Sequence, residues 1–289
     1  MSAAPGASAT GPSVADALAA ARAAGVDRLD AQMLLAHLLA RPRSWLVAHD
    51  DARLDAVQAA ALHAAVARRV AGEPLAYLLG EKEFHGLVFE VNADVLVPRP
   101  DTEVLVEWAL ELLRGGFAGN AVPRVVDLGT GSGAVALAVK HAHPAARVLA
   151  TDVSPAALGV ARRNARRLGL DVPMRAGSWW AAIAGQRFHL GLSNPPYIAG
   201  GDAHLAALQH EPTLALTPGG DGLGALREIV RGAPAHLEVG GWLLLEHGHD
   251  QASAVRAMLQ ERGFDAVGSR ADLAGHARCS GGRRTHVMP

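Results

Sequence analysis

Two stretches of this 289-residue chain carry residue types whose order could do chemistry. The first is Asn194-Pro195-Pro196-Tyr197, which follows the apolar run Phe188 to Ser193. Consecutive prolines lack amide hydrogens and have fixed φ, so they cannot prolong a sheet, and the Pro195 carbonyl is left free to face a cleft. The Asn194 side-chain oxygen is a second acceptor beside it. Together the two oxygens can receive both hydrogens of a planar amide or amino group. The lone pair of such a nitrogen is delocalised into its π-system, and acceptors that pull on its hydrogens favour the pyramidal transition state over the flat ground state. Alignment with an electrophile supplies much of the remaining rate, and no acid–base residue is required for the attack. Tyr197 either stacks on the bound group or packs against the sheet.

The second stretch runs from Val125 to Gly133, where Val-Val-Asp-Leu leads into Gly-Thr-Gly-Ser-Gly and a helix rich in alanine and valine follows from Ala134 to Lys140. That is the opening of a nucleotide-binding β-α-β unit. Gly129, Gly131 and Gly133, with Thr130 and Ser132 between them, permit a sharp turn and close approach of a ligand. Gly129, Gly131 and Ala134 also satisfy the looser dinucleotide fingerprint, so Asp127 at the strand tip decides. A carboxylate there repels a pyrophosphate but suits S-adenosylmethionine, which carries an ammonium and a cationic sulfur. Asp152 ends the next apolar run, Arg147 to Val153, at the distance from which an acid reaches ribose hydroxyls. Trp179 precedes the Asn194 strand and is placed to lie on an adenine ring; core packing of Trp179 or Trp180 is the alternative.

These residues need a scaffold, and the apolar pattern supplies one. Strand and helix alternate from Val125 to Ser193, which predicts a parallel sheet covered on both faces, with ligands at the carboxyl ends of the strands beside the switch in strand order. A helix over Leu226 to Leu237, a strand over Trp242 to Leu245, a helix over Ala252 to Arg262 and a polar C-terminal hairpin complete this domain, residues 104–289. Upstream, residues 1–12 have nothing to bury and are expected to be disordered. Ser13 with Asp16 reads as an approximate capping box. The helical bundle over 13–74 has one apolar face at Leu29, Met33 and Ala36, with Leu34 and Leu38 beside them, and another at Leu54, Val57, Ala61, Leu62, Ala65 and Val66. Residues 75–103 read as a linker, with a β-hairpin between Phe84 and Val97 turning at Asn92-Ala93-Asp94 and then a proline-stiffened stretch, Pro98 to Glu103, which is either a rigid hinge alone or, through Arg99 and its neighbours, a wall of the site mouth. The bundle shows no chemistry of its own and could be a lid, a cap or a partner-recognition module.

Half of the residues are hydrophobic and the formal net charge is −1. There is material for two cores but no global positive field, so nucleic acid is a disfavoured partner. The single cysteine, Cys279, excludes an internal disulfide and a cysteine-based zinc site, which fits a reducing cytoplasm. No apolar run approaches membrane-spanning length and no export signal opens the chain, so a soluble, unexported monomer is expected. Glu246-His247-Gly248-His249-Asp250 invites a metal, yet no third ligand cluster is spaced to complete a site.

The stretches Gly129 to Gly133, Asp152 and Asn194 to Tyr197 together resemble the bacterial release factor glutamine methyltransferases. Further matches are Gly72 to Tyr77, Glu83 to Leu87, Pro98 to Glu103, Glu211-Pro212 with Gly220 to Leu223, Glu246 to Gln251 and Asp272 to Gly275, so the likeness spans nearly the whole chain after the first dozen residues. The resemblance implies an α/β fold: a seven-strand Rossmann-like S-adenosylmethionine methyltransferase domain preceded by a helical domain, with methylation of the glutamine side-chain amide in a release factor's Gly-Gly-Gln motif. It also implies that Gly129, Thr130, Gly131, Ser132, Gly133, Asp152, Trp179 and Asn194 contact the cofactor and that Asn194, Pro195, Pro196 and Tyr197 hold the glutamine. Ser178 departs from the family, which usually has an acid there. A sister family acting on a ribosomal protein glutamine shares the tetrapeptide, but Pro100-Asp101-Thr102-Glu103 is closer to the release factor branch. Three other classes compete: a DNA adenine methyltransferase, which should show a basic groove and a target-recognition domain; a nicotinamide oxidoreductase, against which Asp127 argues; and a non-catalytic binding module.

Overall fold

The first helices start at residues able to cap them. In the computed structural model, which describes residues 11–115, 117 and 122–285, Ser13 precedes α1 (Val14–Ala23) and forms the full reciprocal box with Asp16. Asp27 caps α2 (Arg28–Leu38), and Asp55 with Gln58 makes a second box at α4 (Ala56–Val70), after the short α3 (Arg43–Ala48). Residues 1–10 of the segment expected to be disordered lie outside the described residues; the carbonyls of Gly11 and Pro12 accept bonds from Arg53 and Leu54 at 3.0 Å.

Leu34, Ala36, Leu54, Leu62 and Val66 of the expected apolar faces are buried, but Leu29 and Val57 are not. On α2 the buried residues are Ala31, Leu34, Leu35 and Ala36, whereas Leu29 is 45 % exposed. Leu29 stands two residues before Ala31, about 200° around a helix, and so faces the opposite side. On α4 Leu62 and Val66 are buried and Val57 is 78 % exposed for the same geometric reason. Leu75–Leu79 forms a further helix, α5, and the chain divides at Gly80 and Glu81, so residues 75–80 belong to the first unit rather than to a linker.

In the second unit β1 (Glu81–Phe84) pairs antiparallel with β2 (Leu87–Glu90). The turn is His85-Gly86, both at positive φ (50° and 77°), the requirement of the two-residue hairpin whose twist matches its strands. Asn92 to Asp94, the expected turn, instead closes a side-chain loop after β2, with Asp94 N–H donating to Asn92 Oδ1 at 3.0 Å. His85 tolerates its backbone because Glu103 accepts its N–H at 3.0 Å and Glu107 lies 2.6 Å from its Nε2.

The main sheet has seven strands: β3 (Arg124–Leu128), β4 (Arg147–Asp152), β5 (Met174–Ala176), β6 (Phe188–Ser193), β7 (Leu237–Glu246), β8 (Phe264–Ala271) and β9 (Ala277–Arg284). Their order is β5-β4-β3-β6-β7-β9-β8. The first five run parallel, and the polar C-terminal segment adds β9 and β8 antiparallel, making the sheet mixed. Interleaved helices are α6 (Glu103–Gly115), α7 (Ala134–Ala142), α8 (Pro155–Leu168), α9 (Thr213–Leu216), α10 (Gly224–His236) and α11 (Ala252–Glu261). Val126, Leu128, Leu243 and Leu245 share a core with Trp180, Ile183, Ile229, Val255 and Leu259, so α10, α11 and the turn carrying Trp180 cover one face. Trp242 points to the other face by strand alternation and meets Trp108 of α6 edge-on at 6.2 Å. Strand order reverses between β3 and β6, which places a crevice at their carboxyl ends.

Candidate active site

That crevice holds a cleft of about 320 Å³ lined by Asp127, Gly129 to Ser132, Asp152, Trp179, Asn194 and Pro196, with Val95, Pro98, Thr102, Pro212 and Leu214 among the other walls. Its volume falls in the roughly 300–1,000 Å³ range of small-molecule sites. The glycine turn forms because β3 and β4 pair to their ends: the N–H groups of Gly129 and Thr130 both reach Thr151 O, at 2.9 and 2.8 Å. Gly133 does not line the cleft; it sits at φ 86° before α7, where a Cβ would come 3.3 Å from Ala161 Cβ and 3.0 Å from Leu137 Cδ1. Its role is close packing of the helix start.

Three acids cluster at the strand ends. Asp127 is 1 % exposed, and Thr130 Oγ1 (2.6 Å) and Ala136 N–H (3.2 Å) both donate to its Oδ2. Burial pushes its carboxyl up to about 7, the two hydrogen bonds oppose this, and the neighbouring Asp152 adds to it. Asp152 accepts Gly131 N–H on Oδ2 at 2.9 Å and Ser154 N–H on Oδ1 at 2.8 Å, while burial raises its pKa. Its carboxylate is thereby fixed with both oxygens oriented by backbone. The third acid, Glu246 at the end of β7, is 1 % exposed and is likewise raised to about 7 by burial.

The adjacent tryptophans differ: Trp179 lies between the cleft and the core cluster that contains Trp180. Trp179 lines the cleft with φ 43°, and a Cβ on Gly129 would lie 3.0 Å from its ring. Only a glycine at 129 therefore lets the indole close the turn. Trp180 is core: its Nε1 donates to Ile229 O at 2.8 Å and its ring stacks on His236.

Pairing of β6 stops at Ser193 opposite Leu245, one residue before Asn194. Asn194 and Pro196 line the cleft and Pro195 between them is buried. Asn194 Nδ2 donates to Thr102 Oγ1 at 3.2 Å, leaving Oδ1 as the available acceptor. Tyr197 is not among the lining residues; its ring packs on the sheet core and its hydroxyl donates to Glu246 Oε1 at 3.3 Å. Its carbonyl accepts Gln251 Nε2 at 2.9 Å, and a Cβ on Gly222 would approach that carbonyl to 2.3 Å. Arg99 pairs with the buried Glu211, whose other oxygen takes Val97 N–H at 3.0 Å, tying together two segments that wall the cleft. Arg99 itself is not a lining residue. Glu211, Gly222 and Gln251 have no role in a reading from the residues alone, and Glu246 enters one only through the candidate metal run Glu246 to Asp250; these and Thr102 fall in stretches that carried the family resemblance. His247 is buried with Nε2 2.7 Å from Ser280 Oγ, and His249 rests against His276. Among the described residues no group of three or more histidines, cysteines or acids is placed to hold a metal.

Residues 14–80 match the family described as the PrmC N-terminal domain and residues 106–223 the methyltransferase small domain. The chain is 53 % identical to the release factor glutamine methyltransferase of Bordetella pertussis, covering 89 % of this chain and 95 % of that protein. With the Burkholderia pseudomallei release factor glutamine methyltransferase the identity is 53 %, over 95 % and 98 % of the two chains. This chain belongs to the release factor glutamine methyltransferases. Solved structures show the same fold at low identity: a Pyrococcus furiosus methyltransferase (19 % identical, TM-score 0.51, covering 76 % of this chain and 98 % of that one) and a T. thermophilus 16S rRNA N2 G1207 methyltransferase in complex with AdoMet and guanosine (19 %, TM-score 0.52, 71 % and 49 %). Measured against that membership, the release factor glutamine methyltransferase cleft has fitting chemistry for a cationic nucleoside: a buried anion at Asp127, oriented carboxylate oxygens at Asp152, an aromatic wall at Trp179 and a turn without side chains at Gly129 and Gly131. In the described part of the chain no helix is long and apolar enough to cross a membrane.

Proposed function

We propose that this chain transfers a methyl group from S-adenosylmethionine to the side-chain amide nitrogen of the glutamine in the Gly-Gly-Gln motif of peptide chain release factors. The observation that carries the reading is an acceptor, Asn194 Oδ1, held at the wall of a cleft whose other wall suits a cation and a ribose, in a chain alike over 89–95 % of its length to proteins of that name. When bound, the cofactor supplies an electrophilic methyl on a cationic sulfur. Asp127 receives the amino-acid ammonium, Asp152 the ribose hydroxyls, and Trp179 the adenine. Gly129 to Ser132 bring backbone against the ligand, and Gly133 seats the helix that follows.

Asn194 Oδ1 and the Pro195 carbonyl accept the two hydrogens of the glutamine amide, with Pro196 forming the wall beside them. Both oxygens favour the pyramidal nitrogen, so their effect falls on turnover more than on ground-state binding. Tyr197 contributes by fixing the strand exit from behind rather than by stacking on the glutamine. The helical domain, residues 14–80, is the candidate for release factor recognition. The setting is cytoplasmic, where release factors act, and neither nucleic acid nor a membrane is a partner. One experiment tests the whole reading: incubate the purified chain with labelled cofactor and candidate release factors, then locate the label by mass spectrometry. Methyl on the motif glutamine is expected, and Asn194→Ala should abolish most turnover while S-adenosylhomocysteine still binds. Label on a ribosomal protein or on DNA adenine, or equal loss of binding and turnover, would overturn the assignment.

A further inference from the structure

A buried polar chain runs from the cleft into the sheet. Asn194 Nδ2 donates to Thr102 Oγ1, Thr102 and Glu246 share a side-chain hydrogen bond, and the Tyr197 hydroxyl donates to Glu246 Oε1. Thr102 is 4 % and Glu246 1 % exposed, and Glu246 Oε2 has no hydrogen-bond partner. A hydroxyl owns one hydrogen. If that hydrogen goes to an ionised carboxylate, which can only accept, the Thr102 oxygen has only lone pairs to offer Asn194 and must face its NH₂. The reverse holds if the carboxyl is protonated: it donates to Thr102, whose hydrogen is then free to meet the Asn194 oxygen, and the amide turns over. An amide presenting NH₂ to the cleft would offer donors where glutamine needs acceptors.

We infer that Thr102 and Glu246 are positioning residues that fix the direction of this chain, hold Asn194 with its oxygen toward the cleft, and so make the site select a side-chain amide over a carboxylate. The inference rests on the proposed glutamine methylation. It extends that reading to how Gln is told from Glu, two side chains of the same shape. Groups around Glu246 are consistent with an acceptor. Thr102 and Tyr197 donate to it, Arg278 on β9 opposes its neutralisation, and Asp101 beside Arg278 (3.2 Å) together with burial favours it. Cys279, also on β9, is a buried thiol pushed far above its ordinary range and stays neutral. With burial carrying the Glu246 carboxyl to about 7, the chain has its acceptor at pH 8.

The test uses the full chain at pH 8 with peptides containing Gly-Gly-Gln and Gly-Gly-Glu. Peptide binding is measured with S-adenosylhomocysteine present, and methylation of the glutamine peptide with S-adenosylmethionine. Wild type should prefer the glutamine peptide strongly. Thr102→Val, which keeps shape and removes the hydroxyl, should lower kcat by roughly tenfold or more and shrink the Gln-over-Glu binding ratio by a similar factor, because mispaired buried groups carry selectivity of this kind. Thr102→Ser should recover most of both. Glu246→Gln, whose NH₂ can donate to Thr102, should shift the ratio in the same direction from a different strand. Folding is checked by S-adenosylhomocysteine affinity, expected within about threefold of wild type. If Thr102→Val and Glu246→Gln lose kcat but keep the Gln-over-Glu ratio, their role is merely structural and the inference is overturned. A wild type that methylates no glutamine peptide and no release factor overturns the proposed function, and this inference with it.

Discussion

Asp127→Asn separates two effects of one carboxylate. In the free protein the group is buried and its pKa lies at about 7 rather than 3.8. An acid whose pKa is higher folded than unfolded favours folding fully below the unfolded value, and loses that advantage as pH rises through the folded one. Stability therefore declines between about pH 4 and pH 7, and the interval from 3.8 to about 7 corresponds to ~4 kcal/mol spent on keeping the charge buried at pH 8. Asparagine preserves an acceptor for Thr130 and Ala136 and carries no charge. The free variant should be more stable than wild type at pH 8, by at most ~4 kcal/mol, with the difference gone near pH 4. Cofactor binding should move the opposite way. Removing a buried charge-assisted bond to an ammonium costs ~1.5–3 kcal/mol, roughly 10- to 150-fold in Kd. Wild type should also bind more weakly below about pH 7, approaching tenfold per pH unit, because the cation must first displace a proton, whereas the variant should be flat. Urea denaturation at both pH values and calorimetric titration with S-adenosylhomocysteine, which keeps the ammonium and lacks the sulfonium, measure the two effects. A variant that binds as tightly as wild type, or that is less stable than wild type at pH 8, refutes the reasoning.

Gly129→Ala combines φ 74° with a Cβ only 3.0 Å from the Trp179 ring, so it should displace the indole and weaken S-adenosylhomocysteine binding by roughly tenfold; an unchanged Kd by calorimetry would show that Trp179 is not a cofactor wall. Gly222→Ala puts a Cβ 2.3 Å from the Tyr197 carbonyl and 3.1 Å from Gln251 Nε2, at φ 79°. It should shift the Asn194 to Tyr197 exit and cut kcat about tenfold or more with a much smaller change in cofactor affinity, and steady-state kinetics showing a pure KM effect would count against this. Arg99→Ala leaves the buried Glu211 carboxylate with Val97 N–H alone and should cost ~1–2 kcal/mol in denaturant unfolding, at the low end because the Arg99 side chain is 40 % exposed; no loss of stability would mean that the pair contributes nothing.

The sheet was legible because its central strands are buried on both faces and read as apolar runs bounded by glycine and acid. Leu237 to Gly241 escaped because Glu238, Gly240 and Gly241 break that run, although β7 includes them. Met174–Ala176 is too short and too exposed at the sheet edge to signal a strand. The hairpin turn lies earlier than expected because Asn92 to Asp94 carry the stronger turn residues, while a histidine before Gly86 is only a weak signal of positive φ. That conformation is held by Glu103 and Glu107, which reach His85 from α6. Gly129 to Ser132, Asp152, Trp179, Asn194 and Pro196 do converge on one cleft, because strand-end residues of parallel strands are brought together by the sheet itself. Choosing between Trp179 and Trp180 needed the backbone, where φ 43° turns one ring to Gly129 while its neighbour bonds Ile229 O. The meeting of Thr102 with Glu246 is not legible for a different reason: it sets the turn before α6 against the end of β7, and which strand lies beneath that turn is not written locally.

Four neighbouring parallel strands end in polar side chains: Asp127 near the tip of β3, Asp152 on β4, Glu246 on β7, and Asn194 one residue past β6. Burial raises the pKa of all three acids, so each opposes folding when ionised, and the sheet tolerates them only through the hydrogen bonds of Thr130, Ala136, Gly131, Ser154, Tyr197 and Thr102. Asn194 is the exception, lying on the strand between Asp127 and Glu246 in sheet order. An aspartate there would keep the acceptor oxygen but lose the NH₂ that Thr102 receives, and would set a fourth buried charge beside two others whose ionisation is already strained. The neutral amide leaves an oxygen available at this position while its nitrogen is satisfied from behind. In the proposed reaction Asp127 and Asp152 serve the cation and its ribose, Glu246 holds Asn194 through Thr102, and Asn194 serves the substrate amide, an arrangement that the strand order makes available at one end of the sheet.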